Sequence, residues 1–194
     1  MWEWSKPTTA PQAENSSLFH QYADLLPQPA QPLPPQTVFS VEYPEEAPAP
    51  QQMEELIHKA LVNFGLHHFE LRACTYHPKT WADMSKNYIE YKRLRKTFLK
   101  FLGYSRSEEC LRYGLDEEDL KLLKNQQSPE NYNTHIKIPF DFGGTISLDN
   151  LCLLKTHPVH DQIHHLIEMQ IGCNFLKKHK IIYIPWFDGS FYHE

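Results

Sequence analysis

The sequence predicts an α+β fold, with a helical N-terminal part and a small unit of strands and one helix near the C-terminus. Three observations predict it. Thr80 to Gly103 repeats apolar side chains at helical spacing. Short apolar or alternating runs at His68–Cys74 and Ile181–Trp186 have strand length and are rich in β-forming residues. Between them, His135 to His165 reads as strand, Gly-Gly turn, Asn-bearing loop and helix.

In chain order, residues 1–50 come first and hold 10 of the 15 prolines. Stretches such as Gln28–Pro35 and Glu45–Pro50 cannot hold a helix, because proline lacks the amide donor and clashes with the preceding turn. They are expected to be extended, polyproline-like or disordered. Apolar islands at Trp2, Trp4, Leu18-Phe19, Tyr22, Leu25-Leu26 and Val38-Phe39 interrupt them. The head is therefore either a linker or a docking strap for a secretion carrier, chaperone or other partner. A mainly helical region is expected over 51–128. Gln52 to Phe64 places Leu56, Ala60, Leu61 and Phe64 on one face and stops at Gly65. The Thr80–Gly103 helix puts Trp81, Met84, Tyr88, Tyr91, Leu94, Phe98 and Phe101 on its apolar face. Its other face carries Lys86, Lys92, Arg93, Arg95, Lys96 and Lys100, with Arg106 beyond the end. That face is either ordinary solvated surface or a phosphate-contacting surface. Asp116–Asn125 is a short helix with its acids near the positive end of the dipole. The last region, 129–194, contains the histidine-bearing segment, a closing strand at 181–186 and a turn at Asp188-Gly189.

Composition excludes some classes. Mean hydropathy is −0.56, and no apolar run is long enough for a membrane span, so membrane insertion is not expected. The start, Met1-Trp-Glu-Trp, lacks the basic and apolar regions of a cleavable signal peptide. Cys74, Cys110, Cys152 and Cys173 form no Cys-x-x-Cys pair, so they read as buried thiols rather than a zinc site or disulfides. Net charge is −5, and all of it falls within residues 1–80; residues 81–194 carry 15 basic and 15 acidic side chains. A neutral domain is not a general polyanion binder.

The histidines carry the chemistry. His160 and His164 stand at i and i+4, so on a helix they share a face about 5–6 Å apart at Cβ. His135, on the strand, can supply a third imidazole, and three such donors suit a catalytic divalent ion. The competing reading is three ordinary core or surface histidines. His67 and His68 read as strand-start residues without chemistry. His157, before Pro158, reads as a surface imidazole, and His165 should point away from the His164 face.

The ordered features are Pro129-Glu-Asn-Tyr-Asn-Thr-His135, Lys137-Ile-Pro139, Gly143-Gly144-Thr, Leu148-Asp-Asn150-Leu and His160-x-x-x-His164. The ending Ile184-Pro-Trp-Phe-Asp-Gly-Ser-Phe-Tyr192 follows them. Together they resemble the HNH, or ββα-metal, nuclease superfamily, and most of all the C-terminal nuclease modules of bacterial polymorphic toxins related to colicin and pyocin DNases. The likeness runs from about Arg95 to Tyr192 and leaves residues 1–80 uncovered. It implies a ββα-metal core and a metal-dependent endonuclease, DNase-like, acting as an antibacterial toxin or effector. It also implies His135, His160 and His164 as ligands of one divalent ion (Zn, Mg, Mn or Ni), with Asn150 bracing the loop. His135 and Asn150 would then be the catalytic pair, and Gly143-Gly144 would allow a tight turn and close approach of a phosphate backbone. Lys92, Arg93, Arg95, Lys96, Lys100 and Arg106 would contact nucleic acid, most plausibly DNA. A cognate immunity protein would guard the cytoplasm of the producer before delivery into a target cell.

One position departs from the family pattern. The strand should carry a second histidine, the general base, and Ile136 stands in its place. Three explanations are open. His157, His165 or Lys137 supplies the base; a local bulge turns His135 into the base; or the site binds metal and hydrolyses little. The last would make the chain a degenerate HNH fold that binds nucleic acid or protein. An adaptor working through the Pro-rich head is a further alternative.

Overall fold

The computed structural model describes residues 44–192. The expectations for the Pro-rich head therefore lie, up to residue 43, outside the described residues.

The first helix, α1 (Pro50–Asn63), begins two residues before the expected start. Pro50 is tolerated because a helix's first turn has no use for its amide, and the Gln52 side chain accepts from the Ala49 N–H at 3.1 Å. Its buried face is Met53, Ile57, Ala60 and Leu61, rotated slightly from the expected one. The strand β1 (Glu70–Thr75) pairs antiparallel with β4 (Ile181–Trp186), Arg72 opposite Ile184 and Cys74 opposite Ile182. The regions read as 51–128 and 129–194 thus share a sheet.

Helix α2 (Trp81–Ser105) is capped by Thr80, which accepts from the Asp83 N–H at 3.2 Å. Only its second half is buried, at Tyr91, Phe98, Leu99, Leu102 and Gly103. The expected stripe is therefore too long: Trp81 is 64% exposed, because α2 gains its partners only where the short helices α3 (Ser107–Arg112) and α4 (Glu117–Lys124) fold back on it. Leu120 and Leu123 of α4 join that cluster, together with Phe140, Leu151, Leu153 and Phe191 from the C-terminal region.

A hairpin follows. Strand β2 (Tyr132–Ile136) pairs antiparallel with β3 (Leu151–Lys155), with His135 opposite Cys152 and Ile136 opposite Leu151. Tight turns at Phe140–Phe142 and Leu148–Asn150 shape the long loop between them. A kinked turn, Thr156–His160, leads into α5 (Asp161–Gly172), and His157 leaves the helical region there (φ −118°, ψ 136°). Helix α6 (Phe175–His179) then feeds β4. The α+β class and the strand-loop-strand-helix order are as expected. All four cysteines are buried, free thiols. Burial pushes Cys152 up to about 12 and Cys110 to about 11, so neither is a ready nucleophile. Among the described residues, no helix is long and apolar enough to cross a membrane.

Candidate metal centre

Side chains alternate across a strand, so His135 and Ile136 must face opposite ways. Ile136 packs against the apolar cluster of α2 and α4, and this leaves His135 on the other face, beneath α5. There it meets His160, the residue that ends the kinked turn in helical conformation, and His164 one turn further along. Ring centroids are 5.4 Å apart for His135–His160, 5.3 Å for His135–His164 and 4.4 Å for His160–His164. One nitrogen from each ring lies within 4.8 Å of the other two. The structure thus brings these three imidazoles together.

The cluster is nearly dry: His135 is 7% and His160 3% exposed. Burial, then the neighbouring imidazoles of His164 and His160, holds His135 well below the ordinary histidine range. Burial, then His160, pushes His164 down to about 3. Both are therefore neutral at pH 7, with nitrogen lone pairs available to a cation. The buried Nε2 of His160 has no hydrogen-bond partner among the described residues. An orphaned nitrogen beside two neutral imidazoles fits a divalent cation, since an unmet buried polar atom is otherwise costly. Three imidazole nitrogens match the ligand number of catalytic zinc sites, whereas closed structural sites use four protein donors. By donor chemistry the set suits zinc or nickel better than magnesium, which prefers an oxygen shell.

Asn150 is buried away from solvent and works on backbone. Its Oδ1 accepts from the Ile138 N–H at 2.9 Å, and its Nδ2 donates to the Ile138 and Thr145 carbonyls, both at 2.9 Å. It thus clamps the two sides of the hairpin loop and fixes where β2 ends, the bracing expected of it. The glycine pair makes the tight turn expected of it. Gly143 takes a left-handed turn (φ +87°), and a Cβ on Gly144 would lie 1.7 Å from the Ile138 carbonyl oxygen. The close approach is to the chain's own backbone.

The other candidates separate clearly. Lys137 is 5% exposed on the same strand face as His135, with Nζ 4.8 Å from the Trp186 ring and 5.3 Å from Phe187. Burial pushes its ammonium down. Arg72 covers Trp186 as well, at 3.6 Å. His165 turns away from the cluster to meet the Phe64 ring, and His67 and His68 are exposed in the turn before β1. His157 is half-exposed, and its Nδ1 is held by the Asp161 carboxylate. The other Asp161 oxygen lies 3.8 Å from His160 Nδ1. Burial acts to raise the Asp161 carboxyl, but His160 and His157 outweigh it and hold it below its usual range. Sequence reasoning missed Asp161, Arg72 and Trp186. Only the i, i+4 spacing of His157 and Asp161 signalled the first.

The basic face of α2 exists but is partly committed. Lys92 lies 4.0 Å over Tyr88, Arg95 donates to Ser128 Oγ at 2.7 Å, and Arg106 pairs with Glu109 at 3.3 Å. Lys96 and Lys100 are exposed, the latter 5.9 Å from the Tyr104 ring.

No family model matches the chain, and no solved structure matches it. Over 82 residues, 42% of the chain, it is 37% identical to "Uncharacterized protein YhhZ" of Escherichia coli (strain K12). That stretch is 20% of the relative, so the chain is similar to about a fifth of that protein's length.

Proposed function

We propose that this chain is a metal-dependent nuclease of the HNH type, hydrolysing phosphodiesters in nucleic acid and deployed as a toxin against competing cells. The observation that carries the reading is the convergence of His135, His160 and His164 where β2 meets the start of α5. These imidazoles would hold the ion, which supplies Lewis-acid polarisation of a phosphate and charge stabilisation on the departing oxygen. The chain's own residues do the remaining work. Desolvation keeps the ligands neutral, Asn150 fixes the hairpin loop that follows β2, and Lys96 and its neighbours on α2 attract the polyanion. The toxin role, with its delivery and immunity partner, rests on the resemblance of residues 95–192 to toxin modules.

The test is purified protein with supercoiled plasmid and, separately, single-stranded RNA, each with Zn²⁺, Ni²⁺, Mn²⁺ or Mg²⁺. The reading expects nicking with at least one ion, lost in His160→Ala. Failure to cleave either substrate with any ion would overturn it. A binding module of the same fold is the second reading, favoured by one observation: the position beside the strand ligand is an isoleucine packed against the core. It expects ion uptake and nucleic-acid binding without cleavage.

A further inference from the structure

A hydrolytic site of this kind needs a group that takes a proton from water, and the residues around the three imidazoles differ sharply in their fitness for it. Ile136 has no basic atom and faces the α2–α4 cluster. Lys137 is buried under Trp186 and Phe187, out of reach of a substrate water. His165 is turned to Phe64. His135 is one of the three gathered donors, so no bulge has released it. His157 combines a half-exposed imidazole with an orienting partner, Asp161.

The partner decides which nitrogen is basic. An ionised carboxylate only accepts hydrogen bonds, so the Asp161 contact requires the hydrogen of His157 to sit on Nδ1. Nε2 then keeps its lone pair. The His157 side chain is 48% exposed, so water and substrate can reach the ring. The same carboxylate's second oxygen is 3.8 Å from His160 Nδ1, so the His157 ring stands one carboxylate away from a cation ligand. The kink at His157 brings this about. A residue in extended conformation before the helix lets its ring return to the first helical position.

We infer that His157, oriented by Asp161, is the general base of this site and takes over from the imidazole that Ile136 cannot supply. The inference rests on the nuclease reading. In the step, His157 Nε2 accepts one proton from a water molecule, and the water oxygen bonds to phosphorus. The opposite P–O ester bond breaks, its electron pair leaving on the sugar oxygen. That oxygen takes a proton from solvent, and the imidazolium returns its own proton to solvent, so net hydrolysis is balanced. Asp161 is a positioning residue that fixes the tautomer and steadies His160.

The experiment compares wild type with His157→Ala, His157→Gln, Asp161→Asn and Asp161→Glu, using plasmid and RNA cleavage and calorimetric titration with Zn²⁺ or Ni²⁺. Nitrogen-15 NMR of the metal-free wild type reports the His157 tautomer. Both His157 variants are expected to lose about 10²–10⁴-fold in rate. They keep wild-type ion uptake, and added imidazole restores part of the loss to His157→Ala. Asp161→Asn is expected to weaken ion uptake by about 10–100-fold as well as cleavage, with Asp161→Glu closer to wild type. The NMR signal is expected to show Nδ1–H. A cleaving wild type matched by both His157 variants, or His157 carrying its hydrogen on Nε2, overturns this inference alone. A wild type that takes up the ion yet cleaves neither substrate overturns the nuclease reading and the inference with it.

Discussion

At the residue scale, Gly144 and Ile136 show how single side chains are fixed by the site's surroundings. A methyl group on Gly144 would meet the Ile138 carbonyl oxygen at 1.7 Å and Asn150 Nδ2 at 2.9 Å, so the loop cannot absorb it without breaking the Asn150 clamp. Gly144→Ala is predicted to cost about 3–4 kcal/mol of stability, read as a lower urea midpoint. A loss under 1 kcal/mol would show that the clamp is not tight. Ile136 sits on the far face of β2 against the core. Ile136→His would set a polar ring against that apolar cluster, at about 1–3 kcal/mol, and is predicted to leave cleavage no faster than wild type. A large gain in rate would mean that position 136 can reach the site after all.

At the element scale, β2 and α5 were legible in the sequence because their geometry is local, whereas β3 came only through the family resemblance. Strand alternation dictates the side of His135, and i, i+4 spacing dictates that His160 and His164 agree. The pairing of β1 with β4, more than a hundred residues apart, left no local signal. The periodicity of α2 overstates its buried length for the same reason. Periodicity says which residues share a face, and only the tertiary fold says how far a partner covers it. The kink at His157 was also invisible, since nothing in Thr-His-Pro-Val-His announces where the helix begins, and with it went Asp161. Lys92 on α2 and Arg106 just beyond its end already have partners, while Lys96 is exposed. If α2 tracks a phosphate backbone, Lys96→Gln should weaken nucleic-acid binding evenly across sequences and lower the salt slope, log affinity against log salt, by about one. An unchanged slope would assign that face to solvent.

At the scale of the whole molecule, the buried imidazoles tie stability to pH and to metal. His135 and His164 titrate below their unfolded value of about 6.5 in the native state. Above that value both states are neutral and the fold keeps its full stability. Below it the unfolded chain takes up protons that the native site refuses, so stability falls as pH drops toward about 3, where His164 finally titrates. The predicted loss in chelator approaches about 2.7 kcal/mol per pH unit for two groups, checked by urea unfolding at pH 7.5 and pH 5. A midpoint that does not move would mean that the rings are hydrated and open.

Isothermal titration of the metal-free protein with Zn²⁺ or Ni²⁺ at pH 7.5, beside His160→Ala and His164→Ala, tests most directly whether three imidazoles hold one ion. One ion per chain for the wild type, with affinity falling at least tenfold in each variant, is the result expected here. No uptake by the wild type, or uptake unaltered in both variants, would contradict it.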